Sequence, residues 1–344
     1  MHAIKLALLL LIFPVATEAE MHRANGHPKV VIIHSYLEQS LWRQNISKAF
    51  KVEFKRENLS AEIVEKTFYG EELLRKGVGF FRKEALAIAN EVSRSNPDAV
   101  LLCDDEAVDG LMHEFVKRKI PTFFCGVNQD IERADWWQRS SRQFQTGVLE
   151  RFPTSNALQV LKKIVPFTKK IALLTSDSKT SHIITSQIIE DIKTNRLESK
   201  FEIKIVAVEY AKNLRKWKYF LSELVKKSDI LWIVIPYEVL DDEGHEVPPL
   251  TLGKFISEYK IPTMGVSTIN LKMGQLISLS VTAEGIGKQA AQQIIRYLKG
   301  QSIYQIDVES SMYYNLEINA SEARRLKMTI PTEFLGFAKF TESD

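Results

Sequence analysis

The sequence predicts an α/β protein of two similar lobes in series, and three observations carry that prediction. Short apolar runs alternate with helical periodicity along most of the chain. An example is Ala99 to Cys103, then a helical segment from Asp105, then a second run closing on Cys125-Gly126-Val127-Asn128. Parallel strands joined by crossover helices are covered on both faces, so they read as unbroken apolar runs. The second observation is internal similarity. Ile120-Pro121-Thr122 opens the last strand of one series, and Ile261-Pro262-Thr263 opens the same element of another. The third is length, since 344 residues suit two domains of roughly 100–200 residues each.

In the first series, Lys29 to Ile33 reads as a buried strand ending in His34-Ser35-Tyr36. Leu41 to Phe54 is helical, with Trp42, Ile46, Ala49, Phe50 and Phe54 on one face. Ala61 to Phe68 alternates as a second strand, and a long helix over about 83–93 stops at Asn96-Pro97. Ala99 to Cys103, the helix after it, and the run from Pro121 complete the series. Residues 131–145 read as a loop or short helix at a lobe edge, where Trp136 and Trp137 either pack the lobe interface or rim a cleft.

In the second series, Thr146-Gly147-Val148 is extended and Pro153 starts a helix to Ile164 from its first turn. Strands follow at Ile171 to Leu174, Phe201 to Val208, Ile230 to Ile235 and Ile261 to Val266. Helices fall at 181–193, 214–226 and 250–259. The chain ends on a strand at Leu276 to Val281, a helix from Ala283 to Leu298, an extended piece near 313–318 and a short helix from Ser321.

Composition narrows the function. With 45% hydrophobic and 26% charged residues the chain is an ordinary globular one. A net charge of +3, with no basic stretch interleaved with aromatics, argues against nucleic acid. Lys5 followed by Leu6 to Phe13 and small residues up to Ala19 describes a secretory signal peptide over residues 1–19. The apolar core is too short for a membrane anchor, and no Cys follows it to take a lipid. The mature protein is expected to be periplasmic and soluble. Its two cysteines, Cys103 and Cys125, end neighbouring strands. A bridge is open to them in an oxidising compartment, but two buried thiols are the favoured reading.

In parallel sheets ligands sit outside the carboxyl ends of the strands, so polar residues just after each apolar run carry the function. In the first lobe these are His34, Ser35, Tyr36, Asp104, Asp105, Glu106, Gly126, Val127 and Asn128. In the second they are Ser176, Asp177, Ser178, Pro236, Tyr237, Ser267 and Thr268. Hydroxyls, an amide, a few carboxylates and aromatics suit a small polar ligand with an apolar or aromatic part. Asp104, Asp105 and Ser178 are equally well placed to cap helices. Enzyme motifs are absent: there is no Gly-x-Ser-x-Gly elbow, Walker-type loop or Gly-x-Gly-x-x-Gly after a strand. The histidines lack metal-ligand spacing, and Asp241-Asp242-Glu243 reads as a solvated loop. No catalytic residue, metal or cofactor is expected.

His34-Ser35-Tyr36 at a strand end, then LLCDDEAV, then PTFFCGVN, resembles the periplasmic substrate-binding proteins of ABC transporters. The similar branch includes binders of aromatic amino acids and extracellular sensor domains of bacterial signalling proteins. Thr146-Gly147-Val148, the helix KQAAQQIIRYLKGQS and the ending NLEINASEARRLKMTIP agree with it, so the resemblance spans nearly the whole mature chain. It implies the type I periplasmic binding protein fold, two Rossmann-like lobes joined by a hinge, over 28–145 plus 277–302 and 146–270 plus 306–340. It implies that Ser35, Tyr36, Asp105, Gly126 and Asn128 face Ser176, Tyr237 and Ser267 across a bound small molecule, such as an amino acid, in a monomer that delivers it to a membrane permease. Cys103 departs from the small hydroxyl residue common at its position. His34-Ser35-Tyr36 is more typical of sensor-associated members, which implies the alternative partner: a membrane histidine kinase or diguanylate cyclase.

Overall fold

A computed structural model of the chain describes residues 27–342, and the expected signal peptide lies outside the described residues. The first lobe begins with β1 (Lys29–His34), α1 (Leu41–Arg56), β2 (Glu62–Thr67), α2 (Gly70–Lys76) and α3 (Val78–Arg94). It continues with β3 (Ala99–Cys103), α4 (Asp105–Lys117), β4 (Thr122–Val127) and β5 (Gln145–Leu149). The second lobe runs through α5 (Thr154–Ile164), β6 (Lys170–Ser176), α6 (Lys179–Thr194), α7 (Leu197–Phe201), β7 (Lys204–Ala211) and α8 (Leu214–Leu224). Then come β8 (Ile230–Ile233), α9 (Pro249–Ser257), β9 (Thr263–Gly265), α10 (Thr268–Lys272) and β10 (Ile277–Val281). The chain returns to the first lobe with α11 (Ala283–Leu298) and β11 (Glu309–Ser310). It finishes on the second with β12 (Tyr314–Asn319), α12 (Ala320–Arg325) and β13 (Lys339–Thr341).

The first sheet has the order β11-β5-β4-β3-β1-β2 and is parallel throughout. The second has the order β13-β12-β10-β9-β8-β6-β7, parallel except where β10 meets β12. Each sheet is covered on both faces, which is why its central strands are apolar without alternation. In β1, Val30 and Ile32 face α1 and α11 through Ile46, Phe50, Ile286 and Ile294. Val31 and Ile33 face α3 and α4 through Ala85, Leu111 and Phe115. In β6, Ile171 and Leu173 pack on α5 and α6, while Ala172 and Leu174 pack on Trp217 and Leu221 of α8 and Leu252 of α9. Burying one such large side chain contributes about 1.5–3 kcal/mol.

The sheets divide the chain elsewhere than the expected boundaries. β5 lies in the first sheet between β11 and β4 and β10 joins the second, whereas residues 146–148 and 277–281 were expected on the opposite lobes. An apolar run records that a strand is buried, not which sheet buries it. The chain therefore crosses between sheets at 149–154, 281–283 and 310–314. The expected strand from Phe201 also differs: α7 occupies 197–201, and the strand starts at Lys204 after Glu202 takes a left-handed φ of 50°. α2 and α10, at 7 and 5 residues, were too short to read as periodic.

Candidate functional site

In the first sheet β1 lies between β2 and β3, so the chain goes outward to one side and then turns to the other. Crevices for ligands form at such reversals, outside the carboxyl ends of the two strands that flank them. Here those ends carry Ser35-Tyr36 after β1 and Asp104-Asp105 after β3. The second sheet repeats the arrangement with β6 between β7 and β8, which brings forward Asp177-Ser178 and the segment up to Tyr237.

Most of the residues expected to touch a ligand make hydrogen bonds within the chain. Ser35 Oγ donates to the Cys103 carbonyl (2.9 Å) and accepts the Ala107 N–H (2.9 Å). Ser35 thus caps α4 from another strand. Asp104 occupies the N-cap position of α4, but its side chain does not cap it. The Asp105 carboxylate also faces away from a capping role and accepts the N–H groups of Asn128 and Gln129 at 3.2 and 3.0 Å. Gly126 has a φ of +69°, and a Cβ there would lie 2.8 Å from Asp104 Oδ1. The Asn128 amide donates to Glu150 Oε2 (3.2 Å), and its carbonyl accepts from Gln187 of α6, a contact between lobes.

In the second lobe Ser176, Ser178 and Ser181 bond one another through their hydroxyls, and Ser178 Oγ caps α6 by accepting the Ser181 N–H (3.2 Å). Ser267 caps α10 in a reciprocal box with Asn270. Asp177 pairs with His182 (2.7 Å), whose ring stacks on Tyr210 with centroids 4.1 Å apart. Two of the expected residues stay open at the strand ends: Tyr36 is 45% exposed and Tyr237 42%.

The crevice is electrostatically lopsided. The Tyr36 phenol is pushed above its ordinary pKa, first by loss of hydration and then by the carboxylates of Asp104, Glu106, Glu150 and Asp105. Burial likewise pushes up Asp104, Asp105 and Glu106, and raises Glu150 to about 7. Arg151 stands beside them, yet its guanidinium is spent on the carbonyls of Val127, Asn128, Gln129 and Glu150 at 2.9–3.1 Å. Sequence reasoning missed Glu150, Arg151 and Gln187 because a lone polar residue in a loop or on a helix carries no spacing signal.

Other singled-out residues fall into structural roles. His34 is fully buried, and burial lowers its pKa. Its Nε2 lies 3.0 Å from Ser47 Oγ, which in turn donates to Glu65 (2.9 Å). Trp136 and Trp137 neither join the lobes nor rim a cleft. They pack edge-on against Phe124 in the first-lobe core, and Trp136 Nε1 donates to Asp109 (3.1 Å). Cys103 and Cys125 are buried thiols with sulfurs 3.4 Å apart. Asp241, Glu243 and His245 bring potential metal ligands within 4.8 Å of one another on a turn. Asp241 Oδ1 there already accepts the N–H groups of Glu243 and His245. Among the described residues, no helix is long and apolar enough to cross a membrane.

The family model of ABC transporter substrate-binding proteins matches residues 82–341. A search of curated protein sequences gave no match. Among solved structures, the chain is similar to a ligand-free, open substrate-binding protein with adhesive properties from Clostridium difficile. That likeness has 15% identity and a TM-score of 0.68, over 92% of this chain and 100% of the other. A domain from Streptococcus pneumonia in complex with L-Trp matches with 16% identity and a TM-score of 0.59, over 92% and 99% of the two chains. An arabinose-binding protein from Geobacillus stearothermophilus matches with 11% identity and a TM-score of 0.56, over 85% and 96%.

Proposed function

The chain belongs to the family of ABC transporter substrate-binding proteins, and we propose that it is exported, captures one small molecule between its lobes and delivers it to a membrane permease. Family membership makes it a binding protein rather than an enzyme. The observation that carries the reading is the pair of strand-order reversals, one per sheet, each leaving a large aromatic open at a strand end: Tyr36 and Tyr237. The hydroxyls and amides around them already have partners within the chain, so they form a rigid frame. Rigid polar frames with a few open groups fix a ligand's orientation, and aromatic faces supply contact area. Proteins of this fold include a domain in complex with L-Trp and an arabinose-binding protein, so the fold alone does not choose the ligand. A second reading has the same capture reported to a membrane histidine kinase or diguanylate cyclase. It draws on His34-Ser35-Tyr36, the stretch that resembles sensor-associated proteins.

A thermal-shift screen of the mature chain against amino acids, nucleosides, sugars, small carboxylates and amines tests the capture step. A ligand confined to the folded state adds about 2.7 kcal/mol of stability at a hundredfold excess over its Kd. Tyr36→Ala should weaken binding of the hit at least tenfold without lowering the melting temperature of the ligand-free chain. Unchanged affinity would remove Tyr36 from the site. Loss of uptake on deleting the gene supports delivery, whereas intact uptake with an altered signalling output favours the sensor.

A further inference from the structure

We propose that the first-lobe half of the crevice takes a cationic nitrogen bearing N–H groups, so that the ligand is an organic amine anchored on Asp104. The inference rests on the capture reading above and specifies its substrate class. Asp104 is the residue that asks for it. It is 5% exposed and its backbone sits at φ 71°, a region few non-glycine residues adopt. Its Oδ1 accepts the Trp42 indole N–H at 2.9 Å. Its Oδ2 is buried without a hydrogen-bond partner among the described residues.

Neither protonation state supplies what is missing: a carboxylate at Oδ2 lacks a donor, and a carboxylic acid there lacks an acceptor. Leaving such a group unpaired costs about 1–3 kcal/mol, and more when it is charged. The fold nevertheless builds the side chain in, with Trp42 holding one oxygen and Gly126 omitting the Cβ that would strike it.

The surroundings identify the partner as a cation. Asp104, Glu106, Glu150 and Asp105 are the acidic groups that act on the Tyr36 phenol. Against these acidic groups the neighbouring cations are Arg43, Arg151 and Lys179, and Arg43 donates to the Tyr36 carbonyl and the Thr67 hydroxyl. Arg151 directs its N–H groups at backbone carbonyls. Lys179, exposed at the start of α6, acts on Asp105 and Glu106. An ammonium donating to Asp104 Oδ2 would complete the orphaned oxygen, offset the remaining negative charge and lie beside the Tyr36 ring, where a cation gains further from the aromatic face. Helix α4 argues no differently. Its first turn would suit an anion, but Ser35 Oγ already accepts the Ala107 N–H there and Asp105 and Glu106 make that turn acidic.

The experiment is titration calorimetry of the mature chain with putrescine, spermidine and L-arginine. The controls, none of which carries an ammonium group, are 1,4-butanediol, succinate, indole-3-propionate and L-arabinose. We expect at least one amine to bind, 1,4-butanediol not to bind, and Asp104→Asn to lower amine affinity at least tenfold while the thermal melt stays cooperative. If Asp104→Asn does not fold, Glu106→Gln serves in its place, with an expected loss of about fivefold. Binding of a control in preference to every amine, or undiminished amine affinity in the variant that folds, overturns the amine assignment and leaves the capture reading standing. Binding of no solute of any class overturns both.

Discussion

Glu150 follows the last residue of β5, with Asn128 Nδ2 3.2 Å from its Oε2, and burial lifts its pKa to about 7 from 4.5. Asp105 adds to the rise, while Asn128 and Arg151 oppose it. A folded pKa above the unfolded one means that between those values the folded chain keeps a proton the unfolded chain has released. Stability from this group is therefore fully present below about pH 4.5 and is lost as the pH rises through 7. Glu150→Gln cannot ionise, so its urea midpoint should match the parent at about pH 4 and exceed it at pH 8. Equal midpoints at pH 8 would mean that water reaches the carboxylate freely. None of this was legible in the sequence, where Glu150 is one acid in a loop. Asp104 was legible as a polar residue at a strand end, but its role was not. The capping expected of it falls to Ser35, which reaches Ala107 from 72 residues away, and local sequence does not record such a partner.

At the scale of elements, the apolar runs placed the central strands within a residue or two, because burial on both faces leaves composition little freedom. What composition hides is local irregularity. The pairing of β4 with β5 shifts register between Cys125 and Val127, where Gly126 takes its positive φ and turns the strand end around the Asp104 carboxylate. Two separate demands meet at Gly126: a left-handed backbone and a missing Cβ. Gly274 has a comparable φ of +88° but open space where a Cβ would be. Gly274→Ala should therefore cost only the backbone penalty, about 1–2 kcal/mol. Gly126→Ala should cost that and the displacement of Asp104 besides, for a total of about 2–4 kcal/mol. Urea unfolding of the two variants checks this, and equal losses would show that Asp104 moves aside freely. The sequence offered Cys-Gly at the end of an apolar run; the reason for the glycine lies across the sheet.

At the scale of the whole molecule, two lobes were legible from the repeated Ile-Pro-Thr strand openings, but the routes between them were not. The three crossings are tied to one another. Arg151 N–H donates to Ser311 Oγ (3.1 Å), Ser311 Oγ donates to the Arg151 carbonyl (2.9 Å), and Thr282 N–H donates to the Tyr313 carbonyl (3.2 Å). The first crossing is also held at both ends, by Arg151 on the carbonyls of the first lobe and by Thr154 on Asp191 (2.8 Å) in the second. Crossings joined this way bend together, so the lobes should move as two bodies about one axis, with Gln187 to the Asn128 carbonyl as a bond that spans them. A hydrogen bond contributes about 0.5–1.5 kcal/mol net, enough to change the ratio of open to closed chains by up to about tenfold. Gln187→Ala should therefore raise the radius of gyration of the ligand-free chain in small-angle scattering and leave its melting temperature within a degree or two. Ligand affinity should fall by the same factor as the closed fraction, because binding must then recover the closed state. An unchanged radius of gyration would place this bond outside the opening motion. A larger radius with unchanged affinity would mean that the ligand binds one lobe and does not draw on closure.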